Sequence, residues 1–91
     1  MNIPTHQQLI IAAFLELEEV AYTHSNQGRR AREFLLSFHD NRKVDIFGFV
    51  SLDEKLQRCV MLLIESHINS PHCISLIFKN RLIELSNFED M

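Results

Sequence analysis

Residues 51–69 read SLDEKLQRCVMLLIESHIN, and this stretch decides the fold class. Leu52, Leu56, Cys59, Val60, Leu63 and His67 recur at helical spacing, which sets them along one stripe of a helix. Ser51 and Glu54 have capping-box spacing, in which each side chain satisfies a backbone N–H of the first turn. Asn69-Ser70-Pro71 closes the stretch, because proline disfavours a helical residue before it. Val60 to Ile64 is apolar without interruption. So broad a stripe suits a central helix wrapped by its neighbours. Its surplus face, with Met61 and Ile64, is a candidate interface for a second copy or another partner.

Upstream, Ala31, Phe34, Leu35 and Phe38 make a second helical stripe, which predicts a helix from Gln27 to His39. Ser25 or Asn26 is its expected cap, and Asp40 to Lys43 end it. Between the two helices lies VDIFGFV, residues 44–50. It reads as an irregular connector that tucks Phe47 and Phe49 into the core, with a short strand as the alternative. Nearer the start, Thr5 and Gln8 form another capping box. Ile10, Ala13, Phe14, Leu17 and Ala21 follow at helical spacing, and Thr23 to Gln27 is a polar turn.

Downstream the pattern is two-sided. Ser70-Pro71 can open a further helix through Leu85. Cys73 to Phe78, however, is rich in β-branched and aromatic residues, and Lys79-Asn80 can turn a hairpin into Leu82–Leu85. The expected fold is therefore mainly α: a compact three-helix core plus a fourth helix or a short β-hairpin, in one domain over residues 1–91.

The hydrophobic fraction of 46% supports a packed core and argues against disorder. Nine Lys and Arg stand against twelve Asp and Glu, for a net charge of −3, the wrong sign for general nucleic-acid affinity. Cys59 and Cys73 sit in apolar runs and read as reduced core thiols of a cytoplasmic protein. Met1 to His6 lacks the basic region of a secretory signal. No apolar run approaches the ~20 residues of a membrane span.

Charge placement around the first turn breaks local helix rules. Glu16, Glu18 and Glu19 lie at the end of the first helix, and Arg29, Arg30 and Arg32 open the second. Each group opposes its own helix dipole. The plain explanation is mutual pairing across the turn, with Glu33 also pairing Arg29. The functional alternative makes Arg29, Arg30 and Arg32, with Glu16 and Glu19 beside them, a site for phosphate or for an acidic partner. A helix-turn-helix reading uses the same arginines on DNA, with the three glutamates counting against it.

Cys59, His67, His72 and Cys73 have the residue types of a zinc site but not its spacing, so no metal is expected. His39-Asp40 is not framed by a nucleophile elbow or a phosphate loop, so neither a catalytic residue nor a cofactor is expected.

The Arg30-x-x-x-Phe34-Leu35-Leu36 helix, the Asp40-Asn41 turn, the Phe47–Phe49 segment and Leu52-Asp53 opening a helix through Cys59 and Met61 resemble a family of small uncharacterised domains of proteobacteria, their phages and plasmids. His72 and Phe78-Lys79-Asn80 resemble its closing segment, without the glycine-rich turn expected there. The resemblance implies a mobile-element setting, where small helical proteins bind and block a host machine, as anti-CRISPR inhibitors do. The expected function is a non-enzymatic protein-binding module of that kind, with a protein partner and the Met61 face as a candidate homodimer contact. A nucleic-acid-binding regulator is the alternative.

Overall fold

The computed structural model describes residues 3–91, so Met1 and Asn2 of the signal-peptide reading lie outside it. Six helices follow in order: α1 His6–Ala21, α2 Asn26–Asp40, α3 Ile46–Val50, α4 Glu54–Asn69, α5 Cys73–Ile77 and α6 Lys79–Glu89. The protein is mainly helical, as its periodicity predicts.

Two of the expected caps form. Thr5 and Gln8 make a reciprocal box, with Gln8 N–H donating to Thr5 Oγ1 at 3.1 Å and Thr5 N–H donating to Gln8 Oε1 at 2.8 Å. Ser25 caps α2 by accepting from Gly28 N–H at 2.9 Å. The third is different. Asp53, not Ser51, caps α4, its carboxylate accepting from Leu56 N–H at 3.0 Å. An anionic oxygen suits the positive end of a helix. Ser51 instead donates its hydroxyl to Gly48 C=O at 2.7 Å, closing α3.

The VDIFGFV connector is neither irregular throughout nor a strand. Asp45 caps a single helical turn, accepting from Phe47 N–H at 3.0 Å. Residues two apart on a helix point about 200° away from each other. Phe49 therefore packs against the core while Phe47 faces solvent, so only one of the two expected aromatics is tucked in.

The C-terminal segment is two helices; no hairpin is present among the described residues. Ile74, Phe78, Leu82 and Leu85 are all buried at helical spacing, and this tertiary packing overrides the strand propensity of Cys73–Phe78. Ser70 does not cap the new helix. The chain turns at His72, which takes a left-handed conformation with φ 71° and opens α5 without a side-chain cap.

α1 is the central element of the packing, lying against both α2 and α4, while α6 covers α2 and α5 leans on α4. Phe14 of α1 stacks on Phe78 with ring centroids 3.8 Å apart and planes within 4°. Leu17, Leu35, Leu36, Leu63, Leu82 and Leu85 complete a sealed core around that stack. Bidentate pairing of Arg81 with Glu18, its Nε and Nη2 donating to the two carboxylate oxygens at 3.0 and 2.8 Å, fastens α6 to α1.

Candidate functional site

The arginines and glutamates singled out by the sequence do not form one cluster. Arg32 reaches back across the first turn, and its Nη1 donates to Ala21 C=O at 2.8 Å and Thr23 C=O at 3.1 Å. These are carbonyls at and just beyond the end of α1, where a cation suits the dipole. Phe88 of α6 lies over the guanidinium, 5.3 Å from ring centroid to carbon, with Tyr22 and His24 packed around that ring. The Nε of Arg32 is buried without a partner.

Mutual pairing of the two clusters is therefore not how the charges are balanced. Glu16 meets Lys55 of α4 at 3.2 Å, and Glu18 meets Arg81. Glu33 lies nearest Arg30, at 3.9 Å, rather than Arg29. Glu19 and Arg29 are exposed and make no ion pair among the described residues. The turn itself is tight. A Cβ on Gly28 would collide with Thr23 Oγ1 and come within 2.5 Å of Thr23 C=O and 2.7 Å of Val20 C=O.

Met61 and Ile64 lead to a different place. α2 and α4 both pack on α1 but hardly touch each other, and α3 has no extensive contact with any other helix. The result is an open groove of about 670 Å³ between α2 and α4, bordered by α3. Phe34, Phe38, Phe49, Leu52 and Val60 make its apolar floor, and Met61 and Ile64 stand on its α4 rim. At one end the Arg30 stem lies against α3, where a Cβ on Gly48 would sit 3.0 Å from Arg30 Cδ. At the other end the Phe38 and His67 rings meet edge to face at 5.5 Å. Near the α2 end, Arg42 is forked between Asp40 and Glu89, its bonds to Glu89 both 3.0 Å. The hydrogen bond from Arg42 holds the Asp40 carboxyl below its ordinary pKa, and the Asp40 and Glu89 bonds raise that of Arg42.

The sequence names three residues of this groove as candidate contacts, Met61, Ile64 and Arg30, and assigns its apolar floor to the core. VDIFGFV carries the missed signal: a run apolar on every side cannot bury all its faces in one helical turn.

The candidate metal set is dispersed. Cys59 is in the core, where burial and then the charge of Glu16 push its thiol pKa up. Cys73 turns to Ser66, Sγ to Oγ 3.2 Å. His67 and His72 have ring centroids 6.5 Å apart. Among the described residues no three His, Cys, Asp or Glu converge on a metal position. Nor is any helix there long and apolar enough to cross a membrane.

These features define a small helical protein with one prominent apolar groove and polar groups mostly spent on joining helices. A family model matches residues 11–87, and the chain belongs to that family of unknown function, DUF7673. This agrees with the resemblance to an uncharacterised domain family. No curated protein and no solved structure is significantly similar to the chain.

Proposed function

We propose that this protein is a non-enzymatic protein-binding module that receives an apolar segment of another polypeptide in the α2–α4 groove. One observation carries the reading: the groove has a continuous apolar floor and an exposed Met61 and Ile64 on its rim. A concave apolar surface rimmed by polar groups is what a docked helix or apolar loop fills. Methionine adds adaptability, since its unbranched side chain reshapes around different partners. A module of this kind acts by occupying or masking a partner, and the family resemblance makes an inhibitor or regulator carried on a mobile element our working identity for it.

The nucleic-acid alternative needs Arg29, Arg30 and Arg32 on one free face. Arg32 is held by Ala21 and Thr23, and Arg30 lies along α3. The protein reading draws on the groove instead, so it is the one we carry.

Paired affinity capture tests it. Wild type, Met61→Asp and Arg29→Glu serve as baits, with and without nuclease. A stoichiometric protein retained by wild type and Arg29→Glu but lost from Met61→Asp supports the groove. Recovery that disappears with nuclease, or with Arg29→Glu alone, replaces this reading with nucleic-acid binding.

A further inference from the structure

α3 is held differently from every other helix. It has no extensive contact with any of them, and residues 41–45 before it have no regular structure. The chain is pinned on either side of it instead. On one side Arg42 is forked between Asp40 and Glu89. On the other, Leu52 is buried, Gln57 Nε2 donates to the carbonyls of Val50 and Leu52 at 3.2 and 2.9 Å, and Asp53 N–H donates to Gln27 Oε1 at 3.2 Å. Residues 43–51 are a strap between two pins, with one helical turn in its middle.

The strap rests on the groove through soft contacts. Gly48 lies against the Arg30 stem, a flexible side chain whose ion pair with Glu33 is itself long, at 3.9 Å. Phe49 packs on the core, while Phe47 is 76% exposed, Ile46 70% and Val50 59%. A segment with so few buried apolar contacts moves locally without unfolding the rest.

Ile46 lines the groove and Phe47 does not. Consecutive residues of a helix point about 100° apart. An inward tilt of the strap therefore lowers Ile46 toward the apolar floor and brings Phe47 over the mouth. The empty groove keeps the strap out, since closure over nothing would seal a void whose lining has no partner atoms. An apolar occupant fills that void and gives Ile46 and Phe47 a surface to cover. Occupancy and closure then favour each other.

Resting on the reading of the groove as a docking surface, we propose that α3 is a flap that closes over whatever apolar group enters it, with Phe47 as the side chain that seals the mouth. The pins at Arg42 and Leu52 stay in place and the strap between them moves.

Nile red, an uncharged apolar dye, serves as the probe. It is titrated by fluorescence into wild type, Phe47→Ser, Phe47→Leu and Met61→Asp, with far-UV circular dichroism to confirm that each variant is folded. Amide hydrogen exchange of wild type with and without dye reads the strap directly. Wild type binds the dye and Met61→Asp loses it. Phe47→Ser binds roughly tenfold more weakly, the effect of losing about half the burial of a phenylalanine, and Phe47→Leu recovers most of the loss. Dye slows exchange across residues 44–50 by roughly tenfold. Because Phe47 is not on the groove wall, a loss on its removal reports movement of α3. Binding that Met61→Asp abolishes but Phe47→Ser leaves unchanged, or that brings no protection to residues 44–50, overturns the flap and leaves the groove reading standing. A wild type that binds no dye, or binding indifferent to Met61→Asp, overturns both.

Discussion

The α1–α2 turn and the α2–α4 groove share a helix but resolve their problems in opposite ways. At the turn, three of the charges that oppose their own helices are matched from elsewhere in the chain: Arg32 on Ala21 and Thr23, Glu18 on Arg81, and Glu16 on Lys55. At the groove, α2 and α4 pack mainly on α1 rather than on each other, leaving apolar side chains open between them, and α3 turns Phe47 outward. The first region turns most of its polar groups to its own chain. The second leaves surface unsatisfied, and unsatisfied apolar surface is what a folded protein offers to others. The contrast teaches that an unusual charge pattern can be accounted for largely within the chain, while apolar surface can be left without cover beside it.

The contrast can be broken by substitution. Gly28→Ala forces a Cβ against the Val20 and Thr23 carbonyls, and overpacking against backbone should cost about 2–3 kcal/mol in chemical denaturation. A loss under ~1 kcal/mol would show that the turn is looser than described. Arg32→Ala removes two charge-assisted bonds and the cation under Phe88, for an expected loss of about 2 kcal/mol. Arg32→Lys should recover only part of it, since a single ammonium lacks the planar fork of donors. Phe47→Ser, measured in dilute solution, should shift stability by no more than about 0.5 kcal/mol, as expected for an exposed side chain. A large loss there would place Phe47 in the monomer core and erase the distinction between the two regions.

The smallest effect concerns pH. Asp40 has its pKa lowered in the fold, first by the hydrogen bond from Arg42. Its contribution is therefore present above the unfolded pKa of about 3.9 and is lost as pH falls through the lower folded value. Asp40 is well exposed, so the effect should stay within about 0.5 kcal/mol. Asp40→Asn should flatten the acid limb of the stability profile by that amount, and an unchanged profile would show that the contact with Arg42 does not persist in solution.

The long helices were legible in the sequence because their signals are local. Thr5 with Gln8, Ser25, and the stripes through Phe14, Phe34 and Leu63 can be read without knowing what lies across the core. The cap of α4 was misplaced by two residues because Ser51 and Asp53 are both good caps, and the choice depends on α3 occupying Ser51. α3 itself was hidden because one helical turn is too short to show a period. A helix through Leu85 was among the readings of the C-terminal segment, but the strand-favouring residue types of Cys73–Phe78 left a hairpin open beside it. Of the candidate site, Met61 and Ile64 were found from the width of an apolar stripe. The groove they border was not, because it arises from two helices that both pack on a third and only sparsely on each other, which no stretch of sequence encodes alone. Arg32 stands out in the sequence because it breaks the rule for its own helix, and the structure shows it serving the end of another.

The stack of Phe14 on Phe78 also has a consequence for the order in which this chain folds. α1 and α2 are neighbours in sequence, and their tight turn closes locally, which is fast. The fasteners of α6 are distant: Arg81 returns to Glu18 across 63 residues, and Glu89 to Arg42 across 47. Such closures come late because the intervening chain must give up its freedom first. During synthesis, the first two helices leave the ribosome well before their cover does. Until Phe78 arrives, Phe14 has no ring to lie against, and the nascent chain carries its future core open to any chaperone or neighbour that meets it.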